Sequence, residues 1–231
     1  MYIFSDHQKK QAEGINKIEA LVKNNNLKFS TVSPVVDYKN DSRICLTSVH
    51  LLHNNLIKQI EEKIINPLKR ISPKHHYYSP CSLHTTIKNI RVINNPPHFT
   101  NKDIEKVNQV FSEVIPHHKK FKVYFYRLLL FPANLALIGT TDSELDKIIL
   151  DLDEKLKKAG VADDKKYASN KYFFSNITLA RFSSPLTNKF RKKIYQLSDI
   201  SFDPYTVDSV TLLTCNAVLK KKHIINTWLL K

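Results

Sequence analysis

Two short segments of this 231-residue chain almost repeat one another, and they constrain its fold more than any other feature. One is Leu83-His84-Thr85-Thr86-Ile87, and the other is Ser175-Asn176-Ile177-Thr178-Leu179-Ala180-Arg181. Each lies in a β-like run and spaces a polar pair two residues apart, so both side chains of a pair leave the same face of a strand. A strand and an amphipathic helix precede each motif. Residues 54–69 carry Leu56, Ile60, Ile64 and Leu68 on one stripe, and residues 142–159 carry Leu145, Ile148, Ile149, Leu152 and Leu156. A chain that twice spells strand, helix and motif strand predicts an α+β architecture of two pseudo-symmetric lobes. The motif strands then meet around a pseudo-twofold cleft.

The rest of the chain fills in around these units. Ile15, Ile18 and Val22 predict an N-terminal helix over 8–23, followed by an irregular connection over 27–42. A strand is predicted over 43–51, and a helix over 101–115 that Pro116 stops. Strands follow over 121–131 and 134–140. Thr141-Asp142-Ser143-Glu144 has the spacing of a capping box, and Gly160 ends the helix it opens. A basic, polar loop (161–171) leads into a motif strand over 172–182, and Ser184-Pro185 starts another helix. Strands 206–215 and 223–230 read as a closing hairpin. The division is residues 1–42, a helix and connecting segment, and residues 43–231, the bilobal domain.

Composition narrows the partner. Lysine and arginine number 36 against 21 acidic residues, a net charge of +15. That balance favours a polyanion such as RNA or a phosphorylated nucleotide, and it equally fits a Lys- and Asn-rich composition with no such partner. With 3 glycines, Gly-rich phosphate loops are absent. Cys45, Cys81 and Cys215 are odd in number and lack CxxC spacing, which predicts a reducing interior. No apolar run reaches a signal peptide or a membrane span, so the expectation is a cytoplasmic protein with no membrane partner. The pairs His75-His76 and His117-His118 read as solvated loop residues rather than metal ligands, since strand neighbours point to opposite faces. Lys220-Lys221-Lys222 makes a basic turn, solvated unless it lies at a cleft rim.

A histidine and a threonine on one strand face suit phosphate chemistry, because imidazole moves a proton while the hydroxyl holds a non-bridging oxygen. The near-repeated His-x-Thr resembles the two-histidine (2H) phosphoesterases, in particular their 2′-5′ RNA ligase and cyclic-nucleotide phosphodiesterase branch. Asn176 stands where that family has its second histidine. The resemblance covers about residues 43–231. It implies a bilobal fold whose central antiparallel sheet forms a cleft flanked by helices. It also implies metal-independent, cofactor-free opening of a 2′,3′-cyclic phosphate or a 2′-5′ linkage, with an RNA end, cyclic nucleotide or short oligonucleotide as partner.

On that resemblance His84 carries a proton, and Thr86 and Thr178 hold phosphoryl oxygens. Lys88, placed by alternation on the face of His84 and Thr86, adds charge, and Arg181 completes a Thr-x-x-Arg segment close to the phosphate. Tyr172 and Phe174 alternate with Asn176 and Thr178, so they either stack on a base or pack in the core. Asn176 can donate a hydrogen bond but cannot titrate. Three readings stay open: a slow or differently tuned phosphodiesterase, a non-catalytic RNA or nucleotide binder that kept its phosphate cradle, and a variant disabled to trap ligand.

Overall fold

Both strand–helix–strand units are present in the computed structural model, which describes residues 4–24, 26, 32–167, 169, 171–198 and 200–231. Helix α1 (Asp6–Lys23) opens with a reciprocal cap between Ser5 and Gln8. The first unit is β1 (Ile44–Leu51), α2 (Asn54–Ile60), a π-helical turn (Glu61–Ile65), α3 (Asn66–Ile71), the short β2 (His76–Tyr77) and β3 (His84–Asn94). After α4 (Asn101–Val114) and β4 (Phe121–Leu130) comes the second unit: β5 (Asn134–Thr141), α5 (Glu144–Lys158) and β6 (Ser175–Arg181). Helix α6 (Asn188–Gln196) and strands β7 (Tyr205–Val207), β8 (Ser209–Cys215) and β9 (Lys222–Leu229) complete the chain.

Every strand pair is antiparallel, in the order β7-β4-β5-β6-β3-β1-β8-β9, with β2 added to β6. The order is symmetric about its centre, four strands to a lobe, and the motif strands β3 and β6 are the two that join. Thr85 opposes Ile177 at the join. Two-residue alternation then sets His84 beside Thr178 and Thr86 beside Asn176 on the opposite face. On the helix side Thr85 Oγ1 and Ser175 Oγ share a hydrogen bond of 2.5 Å. The main core lies on that side, where Leu56, Ile60, Ile64, Leu68, Ile148, Leu152 and Leu156 are buried with Phe111, Phe125 and Phe190. Each such side chain contributes about 1.5–3 kcal/mol through removal from water.

A β-bulge follows the threonine of each motif. Val49 opposes Thr86 and Ser48 opposes Lys88, which leaves Ile87 unopposed. Likewise Ala136 opposes Thr178 and Leu135 opposes Ala180, which leaves Leu179 unopposed. An inserted residue reverses the in–out alternation beyond it. Lys88 therefore does not share the face of His84 and Thr86. It is fully buried on the helix side, where its Nζ bonds the carboxylates of Asp153 and Asp163. The same shift brings Asn89 and Arg181 round to the cleft.

Other expectations give way to local competition. The strand expected over 206–215 breaks at Asp208: β7 pairs with β4 in one lobe and β8 with β1 in the other. The capping box at Thr141 does not form, because Gln11 occupies the Thr141 hydroxyl and Asp142 Oδ1 accepts from the Glu144 amide. Helix α6 starts after Thr187, whose hydroxyl accepts from the Phe190 amide, rather than at Pro185. Nor are His75 and His118 solvated. His75 is buried between Phe182 and Phe190, and His118 is bracketed by Glu144 and Asp151.

Removing the fully buried Lys88 would leave the half-buried Asp163 carboxylate and the more exposed Asp153 carboxylate close together without their cation. Lys88→Ala should therefore cost about 3 kcal/mol in urea unfolding, the usual order for breaking a buried ion pair by deleting one partner. A loss below half that value would mean that Asp153 and Asp163 hydrate freely in the folded protein.

Candidate active site

The cleft face of the β3–β6 join lines a cavity of about 570 Å³. His84, Thr86, Asn176, Thr178 and Arg181 all line it, as do Tyr172 and Phe174. The sequence-predicted residues therefore converge, Lys88 excepted. His84 is buried, and its Nδ1–H donates to the Ser82 carbonyl at 2.7 Å. That bond fixes the tautomer and leaves Nε2 as the basic nitrogen. Burial, with Arg181 and Lys222 nearby, lowers the pKa of the ring to about 4, so it is neutral at pH 7. Among the described residues none hydrogen-bonds the side chains of Thr86, Asn176 or Thr178.

Arg181 supplies the charge at the floor. Its Nε–H donates to Tyr78 Oη at 3.0 Å and to the Ala217 carbonyl at 3.1 Å, and the Tyr78 hydroxyl donates to the same carbonyl at 2.6 Å. These bonds tie the 216–221 turn across the cleft to β6. The Nη1 of Arg181 is buried with no hydrogen-bond partner among the described residues. A buried, unpartnered guanidinium nitrogen is costly unless an anion completes it. Beside the turn, Lys222 Nζ donates to the Cys81 carbonyl and Lys221 Nζ to that of Asn40.

Several lining residues were not legible in the sequence. Asn89 reaches the cleft through the bulge at Ile87 and accepts from Thr47 Oγ1 at 3.0 Å. Lys165, in the basic loop after α5, projects into the cavity, and burial lowers its pKa to about 8. Cys45 and Cys215 face each other across β1 and β8 with sulfurs 3.5 Å apart. Helix α1 covers the second lobe's cleft face, burying Ile15 and Ile18 against Leu129, Ala136 and Ile138. Gln11 anchors it through the Thr141 hydroxyl and amide and the Phe173 carbonyl. Phe174 packs with that α1 cluster, while Tyr172 meets His7 edge-on at 5.7 Å and Lys10 Nζ at 5.4 Å.

One further group has ligand-like atoms close together, His50, His53 and Asp208. Both ring nitrogens of His50 are already engaged, Nδ1 with the Ser209 carbonyl at 3.0 Å and Nε2 with Tyr205 Oη at 2.7 Å. The group forms a hydrogen-bonded seam where β7 gives way to β8. Among the described residues no helix is long and apolar enough to cross a membrane.

This architecture is the two-histidine phosphoesterase fold. The crystal structure of apo LigT from Escherichia coli superposes with a TM-score of 0.56 at 14% identity, covering 83% of this chain and 99% of LigT. A crystal structure titled simply as a phosphoesterase gives 0.57 at 13% identity over 82% of this chain and 99% of that one. A protein of Thermus thermophilus gives 0.55 at 12% identity, covering 81% of this chain and 97% of its own. No family profile matches the sequence, and no curated protein matches it.

The depressed pKa of His84 has a consequence for stability. Below about pH 6.5 an unfolded chain binds a proton that the folded ring refuses, so unfolding becomes easier as pH falls. The loss accumulates between the ordinary value of 6.5 and about 4 and then levels off. It amounts to roughly 3 kcal/mol for this ring, and His50, also lowered to about 4 by burial, acts in the same direction. Urea unfolding across that window should show the decline, and His84→Gln should remove part of it. A His84 ring that titrates near 6.5 by NMR would overturn this account.

Proposed function

We propose that this cleft binds the phosphate of a nucleotide and opens a phosphodiester, a 2′,3′-cyclic phosphate or a 2′-5′ linkage, by general acid–base catalysis. The observation that carries the reading is the unpartnered, buried Arg181 Nη1 beside the free side chains of Thr86, Asn176 and Thr178. Such a cluster of hydrogen-bond donors matches a tetrahedral anion. The neutral His84, with Nε2 as its basic nitrogen, removes the proton from an attacking water while Thr86, Thr178 and Asn176 hold non-bridging oxygens. Arg181 offsets the charge that builds on them. The fold supports the reading through its neighbours: LigT crystal structures carry phosphate, 3′-AMP, ATP and NADP+.

The partner on this reading is an RNA end, a cyclic nucleotide or a short oligonucleotide, and the reaction needs neither metal nor cofactor. The segment 1–42 is an addition to the phosphoesterase unit (43–231), and its helix α1 roofs one half of the cleft. Tyr172 offers a base an aromatic face at the edge of that roof. A second reading is a nucleotide-binding protein without turnover, and Asn176, which cannot exchange a proton, is the residue that favours it.

An assay against 2′,3′-cyclic nucleotides and 2′-5′ linked dinucleotides separates the two. His84→Ala should abolish turnover, and Asn176→His should raise it about tenfold or more by placing a titratable imidazole opposite His84. Thr86→Val and Thr178→Val should each weaken nucleotide binding by about 0.5–3 kcal/mol, measured by calorimetry. Binding without turnover in the unmodified and Asn176→His forms alike would favour the second reading, and absence of both would defeat the site assignment.

A further inference from the structure

Two-histidine chemistry needs a proton acceptor on one side of the phosphorus and a proton donor on the other, and Asn176 cannot be either. Lys165 is the remaining titratable cation in the cavity without a bonded partner among the described residues. Its placement is built rather than incidental. On one side of it the half-buried Asp163 accepts from Lys88 Nζ, and Asp164 Oδ1 accepts from the Val92 amide at 2.7 Å. On the other side the Tyr167 hydroxyl donates to the Asn89 carbonyl at 3.2 Å. Arg91 adds a bond from Nη1 to the Ala162 carbonyl at 2.6 Å.

These anchors staple the loop to β3 just beyond Thr86, and Thr86 is the residue that stands beside Asn176 across the join. The loop therefore meets β3 beyond Thr86, on the far side of that residue from His84, and its Lys165 lines the same cavity as Asn176. We propose that Lys165 is the second proton carrier of this site, replacing the histidine that Asn176 lacks; the proposal rests on the phosphodiester reading above.

The step balances with water alone. Water attacks phosphorus and passes one proton to His84 Nε2. The bond from phosphorus to the leaving ribose oxygen breaks, and the Lys165 ammonium gives that oxygen its proton. The products are the phosphomonoester, an imidazolium and a neutral amine, and a proton returns from His84 to Lys165 through solvent. The groups facing Lys165 tune it in opposite directions. Burial is the largest influence and favours the neutral amine, as do Lys88 from β3 and Arg181 from β6, while Cys45 from β1 and Asp163 from its own loop favour the ammonium. The Tyr167 ring lies 5.3 Å from its Nζ. The balance leaves a pKa of about 8, near the operating range that a general acid requires.

The test is the pH dependence of kcat on a 2′,3′-cyclic nucleotide for the unmodified chain, Lys165→Ala and Lys165→Arg, with 3′-AMP affinity measured alongside. The unmodified chain should show a rate that rises through about pH 4 with His84 and falls again near pH 8 with Lys165. Lys165→Ala should lower the plateau by about 10²- to 10⁴-fold and remove the alkaline limb. Lys165→Arg keeps the charge but cannot release its proton, so it should bind 3′-AMP like the unmodified chain while losing the rate. Thermal unfolding of each variant checks that the fold is kept. An arginine variant with full rate, or an alkaline limb that survives in Lys165→Ala, overturns the proposal. So does an unmodified chain without turnover. If Asn176→His is then also inactive and 3′-AMP fails to bind, the phosphodiester reading falls with it, whereas an active Asn176→His leaves that reading standing.

Discussion

The pairing of β3 with β6 is the constraint on which the rest depends. It is the join between lobes, and its register decides which side chains meet. With Thr85 opposite Ile177, the motif residues fall on one face as a diagonal quartet, His84 and Asn176 at opposite corners. A slip of either strand by one residue would send its motif pair into the helix layer and turn its buried hydroxyl, Thr85 or Ser175, toward the cleft. The bond between those two hydroxyls, buried under the join, opposes that slip, because the hydroxyl left in the helix layer would be buried without a partner. The helix-side core and the cleft chemistry are thus set by one register.

How far the sequence could be read follows from which interactions are local. The period-2 alternation of both motifs and the helical stripes over 54–69 and 142–159 are local, and they carry the bilobal architecture with most of the cleft residues. Bulges are not local. Alternation puts Lys88 on the face of His84, and it would equally turn Arg181 away from Thr178. The unopposed Ile87 and Leu179 reverse both outcomes. Neither residue announces a bulge, since no glycine marks the site and the register is set by the partner strands β1 and β5, distant in sequence. Because both bulges follow the motif threonine by one residue, Asn89 and Arg181 occupy equivalent places, a neutral donor in one lobe and a cation in the other.

The N-terminal segment was legible as a helix but not as part of the site. Its apolar stripe at Ile15 and Ile18 requires a partner surface without naming one, and the surface it covers is the concave face beside Asn176. Gln11 shows why the docking is specific. Its amide bonds the amide and hydroxyl of Thr141 and the carbonyl of Phe173, all at the end of β5 or the entry to β6. A buried amide satisfied at that many points favours one seating over neighbouring ones. The same bonds displace the capping box that Thr141 suggests, so a helix far away in sequence rewrites a local signal.

The electrostatics of the molecule divide along the sheet. On the helix side Lys88 is matched by Asp153 and Asp163, and His118 by Glu144 and Asp151. On the cleft side Arg181 and Lys165 carry charge with no bonded carboxylate among the described residues, while His84 is held neutral between them and the turn that carries Lys222. A fold that neutralises the buried Lys88 on one face leaves two cations unmatched on the other. Such an imbalance costs stability in the empty protein and is recovered when an anion enters. The net charge of +15 attracts polyanions to the surface in general; on the proposed reading, the unmatched pair in the cleft is what selects where a phosphate comes to rest.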